Sequence, residues 1–298
     1  MIAAHGSSGV SEVAFASGRR PRWMRPTWGG LIGLSLIALA VFAAVLAPWL
    51  APFDPLEQNL PGRLKPPMWV NAEGTRHILG TDPLGRDLLS RVIHGARVSL
   101  VVAAVAVPIS VVLGVLLGVT AGMSRGLYEA IVMRLIDVQL ALPFILIALA
   151  VLVAIGPTFS NIVLLLGITG WMNYARILRA ETLSMRERDF VSAARAIGAS
   201  RIRITARHVL PNLASTIIVL VTLQIPQVII LESALSFLGL GIQPPTPSWG
   251  SMLSTGRQYM LLQWWVSLFP GLAIALVALG GNLLGDWLRD ALDPRHHR

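Results

Sequence analysis

Long stretches without a formal charge dominate this chain and set what it can fold into. Twenty-eight uncharged residues separate Arg25 from Asp54, 27 separate Arg97 from Arg125, 38 separate Asp137 from Arg176, and 28 separate Arg257 from Asp286. Between Arg207 and Arg257 the only charge is Glu232. A transmembrane helix needs about 20 predominantly apolar residues, so each run is long enough to cross a bilayer. The composition agrees: charged residues make up 13% of the chain, about half the usual share of a soluble domain. The expected fold is all-α, a polytopic membrane protein.

The charge gaps place six spans, near residues 29–50, 98–122, 134–155, 159–178, 213–239 and 264–285. Gly156-Pro157 divides the 38-residue run, while Pro211 and Pro244-Pro245 bound the fifth span. Sidedness follows from the basic residues of the connecting segments. Segments 1–28, 123–136, 176–212 and 286–298 carry 17 of them, against 7 in segments 51–97 and 240–263. Both termini are therefore expected in the cytoplasm, with 51–97 outside and residues 98–285 forming a five-helix core. Residues 1–28 are small and polar, then basic at Arg19, Arg20, Arg22 and Arg25. No small-residue cleavage site follows the first apolar run, so this end reads as a cytoplasmic tail, disordered over its first 18 residues, and not as a removed signal peptide. The tail 286–298 closes the chain on the same side.

Residues that carry chemistry are scarce. There is no cysteine, hence no disulfide framework and no thiolate metal site. A P-loop needs a lysine after its last glycine, and the single lysine, Lys65, sits in RLKPP. No HExxH or GxSxG pattern occurs, and the adjacent His296-His297 reads as a solvated tail. No enzymatic activity is expected from the chain alone, and no cofactor or metal. Arg134 and Asp137 stand three apart on one helical face and can pair. Glu232 lies within the fifth span, where a carboxylate must face a cavity, a polar partner or a pathway. It is either a pore-lining or gating group or a hydrogen-bonded packing residue. Gly114, Gly118 and Gly122 repeat at four-residue spacing in the second span, as do Gly281 and Gly285 in the sixth. Such spacing marks close helix contact, expected chiefly within this chain.

The cytoplasmic segment 181–212 is more structured than a connector needs to be. In DFVSAARAIGASRIRITARHVLPN (189–212), Phe190, Val191, Ala194 and Ile197 recur at helical spacing. Gly198 reads as a left-handed cap and Ser200 as the N-cap of a second helix. Arg201, Arg203 and Arg207 follow, and Pro211 is expected to close the segment. The charge alone would allow a DNA-binding helix-turn-helix, but both ends are tethered to membrane spans, so no nucleic acid partner is expected. Arginine contact with anionic lipid headgroups is a secondary expectation. Docking into a cytoplasmic protein accounts for the apolar stripe as well as the charge.

Ser192-Ala193-Ala194-x-x-x-Gly198, followed by Leu210-Pro211, resembles the Glu-Ala-Ala-x-x-x-Gly loop of the permease subunits of bacterial ABC importers. Ser192 stands where the glutamate usually does. The longer string AARAIGASRIRITARHVLPN is similar to the C-type permeases of dipeptide, oligopeptide and nickel importers. So are HILGTDPLGRDLLSRVIHGARVSL (77–100), ESALSFLGLGIQPPTPSWGSML (232–253) and GDWLRDALDPR (285–295). The resemblance covers roughly residues 29–295 and implies a type I importer permease in the inner membrane. It implies a second related permease, two cytoplasmic ATPase subunits that bind ATP and magnesium, and an extracytoplasmic (periplasmic) solute-binding protein. Ala193, Ala194 and Gly198 would then allow close helix approach to an ATPase, with Arg195, Arg201, Arg203 and Arg207 adding polar contacts. Peptides, glutathione and nickel are all cargoes of permeases that look like this. An ion-coupled secondary transporter is the rival reading; it would usually show more buried acids or histidines.

Overall fold

A computed structural model describes residues 27–124 and 126–292. The expected tail before Thr27 and the pair His296-His297 lie outside the described residues. The described residues are mainly helical, with a two-stranded ribbon of Trp69–Val70 against Arg76–His77. The helices are α1 (Trp28–Val45), α2 (Ala47–Leu50), α3 (Leu88–Met123), α4 (Leu127–Ala141), α5 (Phe144–Ile155) and α6 (Phe159–Thr169). They continue with α7 (Trp171–Arg186), α8 (Asp189–Ala196), α9 (Arg201–Ile204), α10 (Leu210–Phe237), α11 (Trp249–Gly256) and α12 (Trp265–Leu292).

Among the described residues, four helices are each long and apolar enough to cross a membrane: Trp28–Val45, Leu88–Met123, the continuous Arg201–Phe237 and Trp265–Leu292. The bent pair α4–α5 makes a fifth if it is one span. The expected span 134–155 is broken within, because the axis turns by 88° between Ala141 and Phe144. Leu142 precedes Pro143 and takes extended backbone (φ −97°, ψ 129°), as the proline ring demands of the residue before it. The fourth expected span, 159–178, is built from α6 and the first half of α7, which meet at Gly170. At Gly170 the Ser110 and Gln224 side chains come so close that a Cβ would collide with both. α12 runs to Leu292, through the beginning of the expected tail 286–298.

The glycine repeats are seams within the chain. A Cβ on Gly118 would stand 2.6 Å from Ala175 Cα, and one on Gly122 would stand 2.6 Å from Thr182 Cβ, so α3 and α7 lie almost backbone to backbone. A Cβ on Gly281 would meet Pro226 Cγ of α10 at 2.8 Å. Dispersion over such seams replaces the hydrophobic drive that is lost in lipid.

α3 has 36 residues, about 54 Å of helix, and runs the length of the bundle. Its N-terminal end meets the 51–87 segment and α11: Trp249 Nε1 donates to Val92 O (2.8 Å), and Trp265 packs with Leu88 and Met252. Its C-terminal end meets α7, α8 and α9 through a cluster containing Val119, Leu178, Val191 and Ile204. The bundle thus has a loop end and a helical-pair end. The first turns of α1 and the last of α12 belong to the helical-pair end: Gly30 abuts Trp287, and Leu292 lines a cavity with Arg188.

Candidate functional site

The helical pair is held by the end of α7. Arg186 is buried and its Nη1 donates to Gly122 O (3.2 Å) and Met123 O (3.4 Å), carbonyls at the C-terminus of α3. A cation on those unsatisfied carbonyls is favourable. α8 ends in a paired cap: Gly198 N donates to Arg195 O (3.0 Å) and Ala199 N to Ala194 O (3.1 Å), with Gly198 at φ +81°. That is the Schellman pattern, which favours glycine at this position. A Cβ on Gly198 would meet nothing within 4 Å. Within this chain its requirement is therefore backbone conformation, not close approach. Ser200 caps α9, its hydroxyl accepting from Arg203 N at 3.3 Å.

Pro211 does not close the segment. The chain winds through one π turn, Thr205–Val209, and continues straight into α10, with Pro211 in its first turn. Proline cannot donate to a carbonyl four residues back, and the wider turn absorbs the irregularity. The second basic helix and the fifth span are consequently one rod of 37 residues, Arg201–Phe237.

The expected apolar stripe divides. Val191 and Ala194, three apart, are buried with Ile204 and Val209 against Val119, Tyr174, Leu178 and Leu213. Phe190 and Ile197, seven apart, share the neighbouring edge and stay outside: Ile197 is 86% exposed, and Ile202 of α9 is 82% exposed. Arg195, Arg201, Arg203 and Arg207 are exposed, and none forms an ion pair among the described residues. Ser192, Ala193, Leu210 and Pro211 are also exposed. The pair therefore presents a mixed apolar and cationic surface on a base fixed to the bundle.

Glu232 sits near the far end of the same rod and is fully buried. Its Oε1 accepts from Ser236 Oγ (2.8 Å) and Ser248 Oγ (3.1 Å), and its Oε2 has no partner among the described residues. Ser248 is the N-cap of α11, in a capping box with Ser251. Trp249 follows and is tied to α3 through Ser99 Oγ (3.4 Å) and Val92 O. Glu232 thus fastens the 240–248 loop onto α10 and α3. The i+4 spacing of Ser236 was a readable signal for the first partner; Ser248 lies across a proline-rich loop and gave none. Asp137 pairs with Arg176 of α7 at 2.9 Å, not with Arg134, and Glu129 pairs with Arg179.

The polar core of the loop end carries no individual signal in the sequence. Asp82 accepts from Arg86 Nε (2.7 Å) and from its own turn at Leu84 N and Arg86 N, and faces Arg91 Nε at 3.4 Å. Arg91 Nη1 reaches Pro55 O at 3.0 Å. Asp87 caps α3 through Ser90 N and meets His77 Nδ1 at 2.9 Å, while the His77 ring stacks between Phe53 and Trp69. The side chains of His77, Asp82, Arg86, Asp87 and Arg91 are all buried.

Known proteins place this arrangement. The model of the binding-protein-dependent transport system inner membrane component matches residues 114–298. That of the N-terminal TM domain of oligopeptide transport permease C matches residues 28–67. The chain is 47% identical over 267 residues to the di/tripeptide transport system permease protein DppC of Pseudomonas aeruginosa, covering 90% of this chain and 88% of that one. It is 47% identical to the dipeptide transport system permease protein DppC of Escherichia coli K12, covering 90% and 89%. The DppC protein of Haemophilus influenzae is 39% identical, covering 90% of each. The apolar rods, the helical pair and this end-to-end similarity make the chain a member of the binding-protein-dependent transport system inner membrane component family, a multi-pass permease subunit of the inner membrane.

Proposed function

We propose that this chain is the C-type permease of an ATP-driven peptide importer. With a second related permease it forms the path for di- or oligopeptides. Its helical pair seats in a cleft of one of two cytoplasmic ATPases, and segments 51–97 and 240–263 face an extracytoplasmic solute-binding protein. Both termini lie on the cytoplasmic side; the described ends at Trp28 and Leu292 flank the helical pair. ATP and magnesium belong to the ATPases, and this chain contributes no hydrolytic group. The peptide cargo is supported by relatives named for dipeptide and di/tripeptide transport.

One observation carries the coupling role: the exposed pair is continuous, through a π turn, with a rod that ends beyond Glu232. A displacement of Ile197 and Ile202 by a partner moves α10 with them, because Val191, Ala194 and Ile204 hold the pair to the bundle. ATP can shift the permease between two states only if the ATPases grip the pair differently in each.

Co-purification of the ATPases tests this. Ile197→Asp combined with Ile202→Asp alters two exposed positions and should leave stability within about 0.5 kcal/mol. Interface anchors of this kind cost about 2 kcal/mol or more each, so the ATPases should no longer co-purify. Full retention would remove the pair from the interface. Mass spectrometry of ligands carried by the cognate binding protein tests the cargo: peptides support the reading, and nickel complexes or glutathione alone would replace it.

A further inference from the structure

Between α7, the start of α10 and the end of α12 lies a half-enclosed cavity of about 650 Å³. It opens at the helical-pair end, and its walls are the helices that lead into and out of the pair. Its polar lining includes Glu181, Arg188 and Arg289, with Asn212, Ser215 and Thr216 between them. Its apolar lining includes Ile177, Val219 and Leu223. The size falls in the range of small-molecule sites, about 300–1,000 Å³. Both Glu181 carboxylate oxygens accept from Thr216 Oγ1 at 2.9 Å. That contact fixes the carboxylate and leaves further lone pairs for a donor. Arg188 and Arg289 are exposed, and neither forms an ion pair among the described residues.

We infer that this cavity binds a short zwitterionic peptide, with Glu181 receiving the free ammonium and Arg188 and Arg289 receiving the free carboxylate. The inference rests on the peptide-importer reading. The acid and the two cations come from separate elements around one cavity: Glu181 lies within α7, Arg188 follows that helix as the N-cap of α8, and Arg289 lies near the end of α12. A cavity of about 650 Å³ has room for two or three residues. Guanidinium forks suit a carboxylate, and the apolar wall takes side chains without choosing among them. A phosphodiester headgroup would use the arginines but has no use for Glu181. Because the cavity is walled by α7 and α10, a peptide held there also biases the helical pair, and the pair's position alters the peptide's affinity by the same factor.

The test uses the purified permease–ATPase complex without its binding protein, with radiolabelled dialanine as the probe. Saturable binding is expected, weakened about tenfold by N-acetylation or by C-terminal amidation, the size of one charge-assisted contact. Glu181→Gln should weaken dialanine by the same factor and N-acetyl-dialanine no further. Arg289→Gln should do so for the carboxylate and leave the amide unaffected. Losses that do not match the blocked terminus overturn the site, as does displacement by anionic lipid that depends on the arginines and not on Glu181. Uptake into proteoliposomes by the complete system separates the two levels. Peptide uptake with a silent cavity refutes this inference alone, whereas ATP turnover without peptide uptake refutes the importer reading beneath it.

Discussion

The two ends of the bundle treat charge in opposite ways. At the loop end, Asp82, Arg86, Arg91, His77 and Asp87 are buried and spend their hydrogen bonds on one another and on local backbone. At the helical-pair end, Arg195, Arg201, Arg203 and Arg207 stand in solvent beside Ile197 and Ile202. A surface that satisfies itself is a scaffold, and one that leaves apolar and cationic groups exposed together is made for a partner. The contrast implies that substitutions at the loop end damage the fold and substitutions at the pair end damage coupling.

The largest expected effect is at Asp82. Asp82→Ala removes the acceptor that holds Arg86 and faces Arg91, and strips two backbone N–H groups of their partner. Breaking a buried ion pair from one side costs about 3–5 kcal/mol. Folded protein in the membrane should fall severely, as measured by detergent-solubilised yield and thermal unfolding. Wild-type unfolding would break the comparison at its scaffold side.

Gly198→Asp should reverse the pattern. An L-residue held at φ +81° costs about 1–2 kcal/mol, or roughly 5–30-fold in the population of the elbow. The change is solvent-exposed, so assembly stays detectable, while uptake per ATP hydrolysed falls by a factor of that order. Transport at the normal rate would show that the elbow's shape is not what couples the two.

What the sequence made legible follows the same division. Charge gaps located four rods because lipid imposes a coarse rule, a long run without charge, that needs no knowledge of neighbours. Gly198 and Ser200 were legible because caps are local chemistry. Leu142-Pro143 lies inside an apolar run, and hydropathy carries no signal of an 88° bend. Pro211 reads as a stop in the sequence, because the π turn that carries the helix past it has no composition of its own. The loop-end core escaped reading for a different reason. Asp82, Arg86 and Asp87 look like an ordinary polar turn, and only the folding of residues 53–69 over them buries their charge.

Glu232 tests the comparison where it is weakest, because it belongs to the satisfied end yet keeps one oxygen without a partner among the described residues. Glu232→Gln retains an acceptor for Ser236 and Ser248 and nearly the same shape, so stability should change by no more than about 1 kcal/mol. If the 240–248 loop must lift from α10 in each cycle, the strength of those two hydrogen bonds sets part of the barrier. The substitution changes the strength of those two bonds without removing them, so uptake should shift by up to about fivefold, the equivalent of about 1 kcal/mol of net hydrogen bonding. Glu232→Ala, which removes the acceptor from both serines, should move uptake further in the same direction. Uptake that is unchanged in Glu232→Gln between pH 6 and pH 8 would make the residue a packing group fixed throughout the cycle, and would extend the rigid scaffold down into the fifth span.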